Sequence, residues 1–110
     1  MMQQPYDTVL CRSEQGWLAG LDHGLAYAFT YRNISLHLTE EEINLLKQHL
    51  ESLEEQAWFQ LPDSKFVLLS IPQLEGYFYL EETEVKEMRD LLCEASAMVK
   101  VHQRLLNRVR

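Results

Sequence analysis

The sequence predicts an α+β fold: one antiparallel sheet with two helices on one of its faces, in the order β-β-β-β-α-β-β-α. Three observations lead there. Short apolar runs broken by Gly, Asn and Asp turn residues fill the chain up to Leu38, the pattern of successive hairpins. At Thr39 the apolar spacing changes from two to alternating three and four, and the same change recurs near Glu82. Hairpins that each lead into an amphipathic helix leave both helices on the same side of the sheet.

Asp7 to Arg12 reads as the first strand, Glu14-Gln15-Gly16 as a turn, and Trp17 to Leu21 as a second strand ended by Asp22-His23-Gly24. Leu25 to Tyr31 and Ile34 to Leu38 are the next two, joined by Arg32-Asn33, with Ser35 and His37 alternating against apolar neighbours. Thr39 and Glu42 form a capping box. Ile43, Leu46, Leu50 and Leu53 then follow at helical spacing, which predicts a helix from Glu40 to Trp58, stopped by Leu61-Pro62-Asp63. Lys65 to Ile71 and Gly76 to Leu80 are a further pair of strands. The second helix starts at Glu82 or Thr83, and Val85, Met88, Leu92, Ala95, Val99, His102, Leu106 and Val109 make a heptad-like seam interrupted only by His102.

With 110 residues, 46% hydrophobic and 25% charged, the chain is expected to be one domain, 1–110, whose core needs no disulfide or metal. A net charge of −7 argues against nucleic acid or an anionic membrane as the main partner. Met1 to Asp7 lacks the basic start and apolar run of a signal peptide, and no stretch approaches the roughly 18–20 apolar residues that span a bilayer. A cytoplasmic protein is expected. Cys11 and Cys93 lie far apart and read as reduced, structural, slowly reacting thiols, which makes the Asn33-Ile34-Ser35 sequon irrelevant.

Laying Ile34–Leu50 over Gly76–Leu92 pairs Leu38 with Leu80, Glu40 with Glu82, Glu42 with Glu84 and Leu50 with Leu92 as identities. A ββα internal duplication is one reading. Any strand followed by an amphipathic helix would align comparably, and both readings stand. Leu36, Leu38, Thr39 and Glu42 also fit a strand reading x-L-x-L-[ST]-x-x-E ahead of a helix. In this the chain resembles a small family of uncharacterised Bacteroidetes proteins of similar length, over about Leu10 to Leu106. Some members carry paired cysteines ahead of that strand, whereas Ala19 to His23 contains none, and the resemblance implies no activity.

No catalytic constellation emerges. Asp22-His23 beside Ser13 or Cys11 reads as a turn, and His23, His37 and His49 with Cys11 lack the short paired spacing of zinc ligands. The acidic runs at Glu40-Glu41-Glu42 and Glu81-Glu82 with Glu84 sit in first helical turns, where carboxylates complement the dipole. Gly16, Gly20 and Gly24 recur without the Lys-Ser/Thr of a phosphate loop. No catalytic residue, metal or cofactor is expected.

The expected function is therefore a non-catalytic binding or interaction module acting as a homodimer, the alternative being a small-ligand site on an aromatic sheet face. Strand alternation places Leu25, Tyr27, Phe29, Leu36, Leu38, Val67, Leu69, Ile71, Phe78 and Leu80 against the helices. It sends Ala26, Ala28, Ser35, His37, Phe66, Leu68, Tyr77 and Tyr79 to the other face. His37, Phe66, Leu68, Tyr77 and Tyr79 are the candidate ligand or partner site, covered by the N-terminal hairpin, a partner subunit or a ligand. Lys100, Arg104, Arg108 and Arg110 make the end of the second helix basic, while residues 1–99 carry −11. That helix is about 40 Å long against a domain diameter of roughly 34 Å, so Val99, His102, Leu105, Leu106 and Val109 are the expected dimer contact.

Overall fold

The computed structural model describes residues 8–21, 24–70 and 77–109. Strands β1 (Thr8–Arg12), β2 (Gly16–Leu21), β3 (Ala26–Tyr31) and β4 (Ile34–Leu38) form a four-stranded antiparallel sheet in chain order. Helix α1 (Glu40–Glu51) follows. After a single 3-10 turn at Glu55–Ala57 come β5 (Phe59–Gln60), β6 (Lys65–Ser70), β7 (Tyr77–Glu81) and the long helix α2 (Glu82–Val109).

The α+β class stands, but the strands divide into two sheets, the second being β5-β6-β7, where one had been expected. Alternation reports which face a residue occupies and carries no information on which strands pair. Helix α1 stops seven residues short of Trp58, because Ser52 ends it: its backbone N–H and its Oγ both donate to the Gln48 carbonyl, at 3.0 and 2.8 Å. The chain freed by that stop makes β5, which pairs Phe59 with Phe66 and Gln60 with Lys65.

Both ββα units are present, β3-β4-α1 and β6-β7-α2, one in each sheet. In the first, Thr39 Oγ1 accepts from the Glu42 N–H at 3.2 Å and Glu42 Oε1 accepts from the Thr39 N–H at 2.9 Å. In the second, Glu84 Oε1 accepts from the Glu81 N–H at 3.0 Å, the half of the box that survives when the cap residue has no hydroxyl.

One apolar cluster joins both sheets to both helices. Leu18, Tyr27, Phe29, Tyr31, Leu36 and Leu38 enter it from the large sheet, Val67, Leu69 and Leu80 from the small one, and Ile43, Leu50, Met88, Leu92 and Val99 from the helices. Leu25 does not join. It lies in the turn ahead of β3 and is largely exposed. The hairpin β1-β2 extends the large sheet edgewise and does not cover its outer face, although Ala19 and Ala28 on that face are fully buried. Residues 1–7, Asp22, His23, Ile71 and Gly76 lie outside the described residues.

Two backbone positions fix the hairpin tips. A Cβ on Gly16 would run into the Thr30 carbonyl and Leu91, so the β1-β2 turn closes against α2 only with glycine there. Arg32 carries φ 53° at the two-residue β3-β4 turn, a left-handed conformation that favours glycine. Its side chain holds it: Nε donates to Tyr31 Oη at 3.1 Å, and Nη2 donates to Glu87 Oε2 at 3.1 Å. Tyr31 Oη donates to the same Glu87 oxygen, also at 3.1 Å, so the turn is tied to α2 through one carboxylate.

Candidate functional site

The outer face of β5-β6-β7 carries an exposed aromatic row. Register puts Phe59 beside Phe66, and Leu68 beside Tyr79. The Phe59 and Phe66 rings stack at 5.1 Å and 15°, and Phe66 lies 4.7 Å from Tyr79 at 31°. Such contacts stabilise a ring row beyond its buried area. The face stays open nonetheless: Phe59 is 51% exposed, Leu68 45%, Tyr79 48% and Tyr77 69%. Val67, Leu69 and Leu80 on the opposite side are buried, as strand alternation requires.

Four of the five expected site residues therefore share this face: Phe66, Leu68, Tyr77 and Tyr79. His37 does not. It lies on β4 in the other sheet, paired with Ala28, and the two-sheet division is what separates it from the tyrosines. Phe59 belongs to the face and was missed, because the expected helix ran to Trp58 and left only two residues before the Leu61-Pro62-Asp63 stop, too few to read as a strand.

The face has an acidic border. Glu54, Glu55, Asp63, Glu81 and Glu82 are exposed in or beside these strands, with Lys65 as the cation among them. One backbone edge is also open. Strand β5 pairs with only two residues of β6, and among the described residues no strand pairs with Val67 to Ser70 on that side.

The expected dimer contact divides. Val99 is only 1% exposed within its own chain, which corrects its assignment: the large sheet supports α2 well past Ala97. Gln103 Nε2 donates to Tyr27 Oη and to the Gly24 carbonyl, both at 2.8 Å, and Tyr27 Oη lies 3.1 Å from His102 Nδ1. With Gln103 donating to the phenol oxygen, the phenol proton is free to go to His102 Nδ1. His102 thus interrupts the apolar seam as the hydrogen-bond partner of a buried tyrosine. Leu106 is half-buried and reaches Gly24, whose φ of 88° and lack of a Cβ leave room for it. Leu105 is 53% exposed, and nothing is described of the Val109 side chain.

Among the described residues no group of three or more His, Cys, Asp or Glu side chains is placed to hold a metal ion, and no helix is long and apolar enough to cross a membrane. Among the described residues a polar cleft of about 470 Å³ lies at the hairpin tips between Arg12, Gln15, Trp17 and Arg32. A second, of about 230 Å³ and mixed in character, lies between the β3-β4 turn and β7, where Ile34, Phe78 and Tyr79 line it together with Arg32 and Glu84, 3.7 Å apart.

No curated protein and no solved structure matches the chain. The profile of one family matches residues 2–108, nearly the whole length, and the chain belongs to that family of unknown function, DUF6686.

Proposed function

We propose that the protein is a non-catalytic interaction module, a cytoplasmic homodimer that docks an extended apolar peptide segment of a protein partner on the outer face of β5-β6-β7. The observation that carries this reading is the open row Phe59, Phe66, Tyr79 with Leu68 and Tyr77 beside it. A contiguous apolar face of this kind, bordered by charge, is what interaction surfaces present. The edge of β6 that no strand pairs among the described residues supplies backbone groups for strand addition, and alternate side chains of the added strand would lie on the rings. The acidic border favours a neutral or basic segment over an acidic one. The unpaired cysteines fit a reducing compartment.

Peptide selection tests this reading. A random peptide library is selected on the wild type, with the Leu68→Ser/Tyr79→Ser variant as counter-target. The expected result is extended sequences with alternating apolar residues that bind the wild type and lose at least about ten-fold affinity for the variant. Selected peptides that bind both proteins equally would overturn it. The same ring row supports a second reading, one planar small molecule stacked on Phe66 and Tyr79. That reading is favoured if a neutral aromatic probe saturates a single site that the variant lacks.

A further inference from the structure

The surface of α2 that points away from the core carries a second heptad-like stripe, distinct from the seam that packs inward. Asp90, Glu94, Ala97, Val101, Arg104 and Arg108 step by four, three, four, three and four, and all six are exposed. Val101 is 47% exposed, with Leu105 beside it. The stripe is sorted by charge: two acids at its start, small and apolar residues at its centre, two bases at its end. Among the described residues, none of these four charged side chains has an ion-pair partner in its own chain.

Within one chain this order is unfavourable at close range. Asp90 and Glu94 are like charges four residues apart, and so are Arg104 and Arg108, a spacing at which repulsion destabilises a helix. The pattern is self-complementary in one arrangement only. If two copies of α2 run antiparallel with Ala97 of each opposite Val101 of the other, then Asp90 meets Arg108 and Glu94 meets Arg104, twice over. The pairing closes on a two-fold axis, and the small Ala97 side chains allow close approach at the crossing. A parallel pairing would set acid on acid and base on base.

We propose that this outer stripe is the homodimer interface, its occupant the same stripe of a second copy in antiparallel register over about 27 Å of helix. The inference rests on the proposed homodimer and goes beyond it by naming the surface. It uses no residue of the β5-β6-β7 face, which stays free for a peptide in each subunit.

Charge reversal of the full chain tests it by sedimentation equilibrium, with circular dichroism as the check on folding. Arg104→Glu/Arg108→Glu makes the stripe wholly acidic, and Asp90→Arg/Glu94→Arg makes it wholly basic. Each variant alone is expected to dimerise at least about ten-fold more weakly than the wild type, since attractive contacts become repulsive. An equimolar mixture of the two should form a heterodimer, and the four-fold variant should regain the homodimer. A wild type that stays monomeric at about 100 µM, well above a micromolar affinity, would overturn the inference. So would reversal variants that dimerise like the wild type, or a mixture that does not associate. Peptide selection on the Leu68→Ser/Tyr79→Ser variant reads the sheet face separately, so either reading can fail alone.

Discussion

Cys11 and Cys93 differ in chemistry because they differ in burial. Cys11, on β1 against α2, is buried, and its thiol is pushed up to about 11, first by desolvation and then by the nearby Glu94 carboxylate. Cys93 is exposed on α2, so only Cys11 sits in the core as a structural thiol, where both had been expected to be structural. Titration of the native protein with a disulfide reagent should modify one thiol rapidly and the second only on unfolding, and Cys93→Ser should abolish the fast phase. Burial also raises Tyr27 and Tyr31 above the usual phenol value; hydrogen bonds from Gln103 and Arg32 oppose it respectively. All three groups are held in their protonated form by the fold. Their contribution to stability is complete below the ordinary values and lost as pH rises through the folded ones. Urea midpoints should thus fall above about pH 9, and Cys11 alone accounts for about 2 kcal/mol of that loss by pH 11. A Cys11→Ala variant whose midpoint falls just as steeply between pH 9 and 11 would remove Cys11 from this account.

At the scale of elements, the turns and caps were legible in the sequence where the chemistry is local. Thr39 and Glu42 announce their helix because both halves of the capping box are side chains within three residues of each other. Thr39→Ala is accordingly expected to cost about 1 kcal/mol in chemical denaturation, with the cost confined to losing the Oγ1 acceptor. The faces of β4, β6 and β7 were legible for a similar reason, since a period of two fixes which side chains share a face. Strand pairing, the end of α1 and the existence of β5 were not. Phe59 and Gln60 lie between the expected helix end at Trp58 and the Leu61-Pro62-Asp63 stop, too short a stretch to show a period of its own, and only their ladder with Phe66 and Lys65 makes them a strand. The same limit explains the site: Phe66, Leu68, Tyr77 and Tyr79 were found by alternation, His37 was wrongly added to them, and Phe59 was missed. Gly16 was read as a plain turn residue, whereas its role comes from Thr30 and Leu91, far away in sequence. Gly16→Ala should destabilise by about 2 kcal/mol or more, because the clash includes a backbone carbonyl that cannot rotate away. An unchanged midpoint would show that the β1-β2 tip is free to shift.

The whole molecule is longer than its residue count implies. Its radius of gyration is 15.2 Å and its principal extents are 53 × 31 × 26 Å, against about 13 Å expected for a compact chain of this length. Two separate sheets in one chain raise the question of whether they unfold together. The core answers for one unit: α2 touches β1 and β2 in the large sheet and β6 and β7 in the small one, and Met88 and Leu92 on it are fully buried. Neither sheet can lose its inner face to solvent without uncovering part of that helix. Each sheet also has its own reporter. Trp17 is in β2 and Trp58 directly precedes β5, both partly buried. Single-tryptophan variants, Trp17→Phe and Trp58→Phe, should each give a fluorescence unfolding curve in urea that overlays its own far-ultraviolet circular dichroism curve, as all-or-none unfolding requires. Leu92→Ala should lower the midpoint reported by either tryptophan equally, at a cost of about 2–5 kcal/mol. If Trp58 reports an earlier transition than Trp17, the small sheet opens on its own, and the aromatic face belongs to a separately stable unit that α2 merely tethers.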